Sequence, residues 1–186
     1  MHPTTEGEFR VLAGRTPEEW LFVDVDSVEP TYVPAAAVDG DIEVGNRIRA
    51  TIEWDDGTPT RADATVVSKT TFTFVRTTEP VFEAAQACFE TARSEGEGMN
   101  SRVTYDTDSN PNGVVYTFAD QPGSRDLFSE FRDGEKPLEP LVDRAAEGGD
   151  RPFSVYIIDP EEPFVVVYIV LKPGGRLDST VRETYC

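Results

Sequence analysis

The chain has 186 residues, 38% of them hydrophobic and 28% charged, which fits one compact domain or two small ones and excludes a collagen-like or wholly disordered chain. Asp and Glu number 35 against 17 Lys and Arg, a net charge of -18, so no basic stripe exists to coat a nucleic acid by counterion release. The longest wholly apolar run, Phe164 to Leu171, is too short to cross a bilayer.

The acids are spread along the whole chain, as on the charged surface of a folded body. In dilute buffer such a surface repels itself, whereas molar salt contracts the Debye length to about 3 Å and removes most of the penalty. Only Lys69, Lys136 and Lys172 are lysines, and a lysine stem exposes apolar surface that a carboxylate does not. These features point to a protein built for high salt. The N-terminus MHPTTEGEFR has neither a basic start nor an apolar h-region, so a cytoplasmic location is expected.

From Glu8 to Thr78 the pattern predicts short strands at Phe9 to Leu12, Trp20 to Val25, Tyr32 to Ala36, Arg47 to Trp54 and Ala62 to Arg76, the last bent near Lys69. Ile48, Ala50, Ile52 and Trp54 alternate with Arg49, Thr51 and Glu53, the period-2 signature of a half-buried strand. So many short strands suggest a small, partly closed antiparallel β-barrel, OB-like, over residues 1–78.

A helix is expected from Glu79-Pro80, capped by Thr78 or Glu79, with Val81, Ala85, Cys88, Phe89 and Ala92 on one face and Gly96 and Gly98 at its end. Strands at Arg102 to Thr107 and Val114 to Ala119 form a hairpin around Asp108-Ser-Asn-Pro-Asn-Gly113. Two short helices follow: Ser124 to Arg132, capped by Ser124, and Leu138 to Glu147, closed by Gly148-Gly149. The last strands are Phe153 to Ile158 and Phe164 to Lys172. Phe164 to Val170 does not alternate, which places it at a sheet centre, buried on both faces. Residues 79–186 thus read as an α+β sheet with three helices, packed with the barrel as one unit.

His2 is the only histidine, which removes Ser-His-Asp and Cys-His catalysis and imidazole acid-base work. Cys88 and Cys186 are too few and too far apart for a tetrahedral zinc site; Cys88 reads as inert packing on its helix face. The segment from Asp106 to Gly113 superficially resembles a calcium loop, but Pro111 and Thr117 stand where an EF-hand needs Gly and a bidentate Glu. Gly96 and Gly98 are followed by no Walker lysine. No metal and no cofactor are expected.

The remaining binding-site candidates cluster around the central hairpin: Asn100, Ser101, Arg102, Asn112, Tyr116, Arg125 and Asp126. Arginine can clamp a carboxylate or phosphate in a bidentate manner, and Asn and Ser orient a ligand. The bland reading pairs Arg102 and Arg125 with local acids.

The strings MNSRVTYDTD (99–108), NPNGVVYTFADQPGSRDLFSEFR (110–132), PLEPLVDRA (137–145) and EPFVVVY (162–168) resemble a family of small uncharacterised proteins from haloarchaea. The resemblance runs over the whole chain, most closely after residue 79. It implies a salt-loving host and carries over no activity, cofactor or catalytic residue.

The favoured functional reading is a non-catalytic module that binds a small-molecule ligand or a protein partner. The alternative is a His-independent enzyme using Asp106 or Asp126 with Arg102 or Arg125 on a phosphorylated or carboxylated small molecule. A weaker third reading is a single-strand RNA binder stacking bases on Trp20, Phe22, Tyr32 and Trp54; nucleic acid is otherwise not an expected partner, nor is a membrane.

Overall fold

The computed structural model describes residues 3–120, 126–147, 149 and 151–186. The elements are β1 (Thr4–Ala13), β2 (Glu19–Asp24), β3 (Pro30–Pro34), a 3-10 turn (Ala35–Ala37), β4 (Val38–Asp39), β5 (Arg47–Asp55), β6 (Thr58–Ser68), β7 (Thr71–Thr77), α1 (Glu83–Ser94), β8 (Met99–Tyr105), β9 (Pro111–Ala119), α2 (Leu127–Arg132), α3 (Glu139–Ala146), β10 (Ser154–Pro160), β11 (Phe164–Val170) and α4 (Arg176–Tyr185). This is a mixed α+β fold with two sheets and, among the described residues, four helices rather than the three expected. The chain divides into two compact units, Met1–Thr71 with Glu130–Arg151, and Phe72–Ser129 with Pro152–Cys186.

The first unit holds a six-stranded sheet in the order β3-β2-β1-β5-β6-β4. The alternation read in β5 is real: Ile48, Ala50 and Ile52 are buried, Arg49 and Glu53 exposed. These residues join Phe9, Val11, Phe22, Val33 and Ala62 in one core. The outer strands β3 and β4 are separated in sequence only by the three-residue turn, which bends the sheet round, but no ladder joins β3 to β6 and the sheet stays open. The expected OB-like barrel is therefore not closed. The physical reason is local: β4 pairs with β6 over two residues before Gly40, at φ 138°, turns the chain away.

The long strand expected over Ala62 to Arg76 is two strands in different sheets. Lys69 and Thr70 break it, and Thr70 is pinned rather than bent: its carbonyl accepts the Asn46 Nδ2 at 3.0 Å, and its hydroxyl lies 3.2 Å from that of Ser68. α3 returns to this unit because Arg10, inside β1, meets Glu139 at the start of the helix. Both are buried; the guanidinium donates through Nε to Oε1 and through Nη2 to Oε2 at 3.0 Å, while Nη1 reaches Gly45 O at 2.9 Å. Glu147 itself takes the left-handed conformation that ends α3, at φ 53°; Gly148, expected there, lies outside the described residues, as do Ser124 and His2.

The second unit holds a five-stranded sheet in the order β7-β10-β11-β9-β8. β11 is its central strand and every residue of it is buried, as its unbroken apolar run requires. α1 and α4 pack on the face carrying Tyr156, Ile158, Phe164, Val166, Tyr168 and Val170. Cys88 is fully buried there, and Phe82 stacks on Tyr168 at 4.7 Å and Phe89 on Phe164 at 4.3 Å. α1 starts at Glu83, later than Pro80 suggests, because the Phe82 amide donates to the Tyr185 hydroxyl at 2.9 Å and that residue stays extended, with ψ 156°. No helix among the described residues is long and apolar enough to cross a membrane.

Removing one member of a buried ion pair leaves the other charge uncompensated, at a cost of about 3 kcal/mol or more. Glu139→Gln is expected to lower unfolding stability by about that amount, and the double variant Arg10→Met/Glu139→Leu to recover most of it; urea titrations at fixed salt check both.

Candidate functional site

The β8–β9 hairpin carries most of the sequence-derived candidates but divides them between faces. Asn100 and Arg102 lie on the helix-covered side; Asn100 is half-buried and its Nδ2 donates to Cys88 O at 3.0 Å, whereas Arg102 is exposed. Ser101 stands opposite Tyr116, so these two share the other side, Ser101 exposed and Tyr116 buried. Asn112 sits in the bulge where Tyr105 pairs with Pro111. Its Oδ1 accepts the Thr104 hydroxyl at 2.7 Å, and Thr104 in turn takes the Tyr168 proton at 2.7 Å. Burial pushes the Tyr168 phenol above its ordinary value, with Thr104 opposing weakly, so the phenol remains a donor. Gly113 leaves room for this chain, since a Cβ there would lie 2.6 Å from Tyr168 Cε1.

Asp126 belongs to a different place. Its Oδ2 accepts Arg76 Nη2 at 2.7 Å and the Ser129 hydroxyl at 2.8 Å, while Arg76 Nε also lies 3.4 Å from Asp159. Burial pushes the Asp126 carboxyl up, but the Ser129 hydroxyl, Arg76 and local amides outweigh it and hold it below the ordinary value. Asp159 and Asp120 are raised, each chiefly by burial and then by the Asp126 charge. Arg125 lies outside the described residues.

The residues that sequence reasoning missed are at the start of α4. Asp178, in its first turn, is 5% exposed, and its carboxylate turns inward: Oδ2 accepts Gly174 N at 2.7 Å and the Ser154 hydroxyl at 2.9 Å, and Oδ1 accepts the Tyr156 hydroxyl. Burial alone would raise this carboxyl; the three donors and Arg182 hold it below the ordinary value of 3.8. Tyr156 is raised far above 10.0 by burial and by Asp178.

The N-cap residue of α4 is Gly175, which has no side chain to cap the helix, and Ser179 N is the first amide to reach back, to Gly175 O at 3.1 Å. The amides of the preceding turn therefore have no intrahelical acceptor. Along this N-terminus runs a groove of about 470 Å³ bordered by Tyr105, Asp106, Asn112, Lys172, Arg176 and Thr180. Lys172 and Arg176 are exposed, and neither has a carboxylate within ion-pair distance among the described residues. Tyr105, 61% exposed, offers an aromatic face. Asp106 spends Oδ1 on the turn, accepting the amides of Asp108 and Asn110 at 2.9 Å each; this is the Asx geometry of a hairpin turn. No group of three or more His, Cys, Asp or Glu among the described residues is placed to hold a metal ion.

The four aromatics weighed as a base-stacking platform are not one exposed face. Phe22 is wholly buried and Trp20 and Trp54 pack against the same core, while the Tyr32 ring carries the Arg15 guanidinium at 3.9 Å.

Two open sheets, with an uncapped helix terminus beside a groove, define a mixed α+β protein. The chain belongs to a family of unknown function (DUF6663), whose model matches residues 1–186. No curated protein and no solved structure matches it.

A carboxyl whose folded pKa is depressed contributes stability that is present above its unfolded value and lost as pH falls through the folded one. For Asp178 that loss falls below pH 3.8. Asp178→Asn is expected to cost about 2 kcal/mol at neutral pH and to flatten the acid limb below pH 4, as read from urea midpoints across a pH series.

Proposed function

We propose that this protein is a non-catalytic binding protein that takes a small carboxylate- or phosphate-bearing molecule in the groove at the start of α4. The observation that carries the reading is the meeting of Lys172 and Arg176, neither ion-paired to a described residue, with an uncapped helix N-terminus in one groove. Lys172 is one of only three lysines in a chain of net charge -18. The amides and the helix dipole favour negative charge, Arg176 can grip it in a bidentate manner, and the Asn112 side-chain amide offers an orienting hydrogen bond.

Binding is favoured over turnover because the carboxylates near candidate arginines already have structural duties: Asp106 organises its turn, and Asp126 is held by Arg76 and Ser129. The acidic surface and the resemblance to haloarchaeal proteins support a salt-accumulating cytoplasm as the working environment. In such a solvent a partly enclosed site retains electrostatic binding better than an exposed one.

Calorimetric titration in molar KCl with inorganic phosphate and with citrate tests the reading. Saturable binding is expected, weakened about tenfold or more by Lys172→Ala and by Arg176→Ala and unchanged by Arg61→Ala on the first sheet. No binding, or equal binding by all four proteins, would contradict it.

A further inference from the structure

β8 is an outer strand, hydrogen-bonded to β9 alone. Gly98 O accepts the Ala119 amide at 2.8 Å, and antiparallel alternation then turns the N–H and C=O groups of Asn100, Arg102 and Thr104 toward β9. Those of Met99, Ser101 and Val103 point away from the sheet. The same positions carry exposed apolar side chains, Met99 at 48% and Val103 at 41%, and with Tyr105 they are the exposed large hydrophobics of the described residues. Alternation puts all of them on one face.

Edge strands are normally blunted by proline, charge, brevity or bulges. β3 begins with Pro30 and ends with Pro34, and β4 has two residues. β8 has no proline, lysine or acid, and its bulge falls at its last step, between Thr104 and Tyr105.

We propose that β8 pairs with β8 of a second copy of this chain, antiparallel about a two-fold axis at Ser101, joining two five-stranded sheets into one. A two-fold pairing makes every contact reciprocal, and opposed side chains must share a face, so the axis passes through a residue. At Arg102 it would oppose two guanidinium groups. At Val103 it would draw the bulge at Tyr105 into the ladder. At Ser101 it sets Met99 against the partner's Val103 and Asn100 against the partner's Arg102, with a small residue on the axis and no like charges opposed. Tyr105 then falls opposite the partner's Glu97, at the margin of the pairing, so the groove it borders is not part of the interface.

The register, not the net charge, favours a copy over a foreign strand: about Ser101 the strand is complementary to itself, with Asn100 facing Arg102, and it carries no carboxylate to hold a basic strand. The strip offers roughly 300–400 Å² per copy, about half of a standard interface, so the dimer is weak and depends on concentration. Two bodies of -18 repel, and the repulsion fades as the Debye length falls from about 10 Å at 0.1 M salt to about 3 Å at 1 M. Association therefore strengthens with salt, opposite to the behaviour of a basic partner.

Sedimentation equilibrium of the full chain, from micromolar to millimolar, at low salt and in molar KCl, tests the proposal together with amide hydrogen exchange. The expected result is a mass that doubles with concentration in molar KCl. The Met99, Ser101 and Val103 amides should slow at least about tenfold on association, by the ladder logic of a paired edge. Ser101→Pro removes only an outward-pointing amide, and Val103→Lys places a charge on the strip. Each should restore the monomer with the circular dichroism spectrum unchanged; should one fail to fold, the other carries the comparison. A monomer under all conditions, a dimer whose β8 amides exchange as in the monomer, a dimer weakened by salt, or one that survives both substitutions would overturn the proposal.

Discussion

The buried carboxylate of Asp178 is the constraint on which the second unit's candidate site depends. Taking a charge out of water costs several kcal/mol unless hydrogen bonds compensate, and Asp178 collects Ser154 and Tyr156 from β10 and Gly174 from the loop before its own helix. One side chain thereby fixes the loop, the start of α4 and the strand beneath it. The first turn of α4 has no side-chain cap, because the residue at its N-cap position is Gly175. The uncapped terminus opens on the groove that Lys172 and Arg176 border on either side of Gly174-Gly175, with Asp106 and Asp108 also on its rim.

The same helix closes a second link. Tyr185, at its end, takes the Phe82 amide and stands beside the stack of Phe82 on Tyr168. Tyr168 donates to Thr104, and Thr104 to Asn112 on the groove wall. Strand, hairpin and helix thus meet in polar contacts whose members are each satisfied, the condition under which buried polar groups specify an arrangement rather than weaken it.

Where a residue's fate is set by its neighbours in sequence, it was legible. The alternation of β5, the all-apolar β11 at its sheet's centre, the hairpin turn and the burial of Cys88 all follow from period and composition. Long-range contacts decide the rest. Nothing local to Lys69-Thr70 says that the strand stops there; the bond from Asn46 does. α4 is polar and short, with only Leu177, Val181 and Tyr185 at helical spacing facing the core, a signal easily passed over after the conspicuous β11. Of the candidate site residues, Asn112 borders the groove, while the hairpin's strict alternation splits Ser101 and Tyr116 from Asn100 and Arg102. The cue that does mark the groove is a rare lysine two residues before a Gly-Gly pair, followed by arginine.

The surface charge and the groove make opposite demands on salt. High ionic strength relieves repulsion among 35 acids yet screens any exposed attraction for an anion. An amide-lined helix terminus answers that conflict in part, because its donors act at hydrogen-bond range, where screening is weakest. The most direct measurement is a proton–nitrogen NMR titration with phosphate in molar KCl. The account predicts that the largest shifts fall on the amides of Arg176, Leu177 and Asp178 and on Asn112, saturating together. Shifts confined to the first sheet, or scattered without saturation, would contradict it.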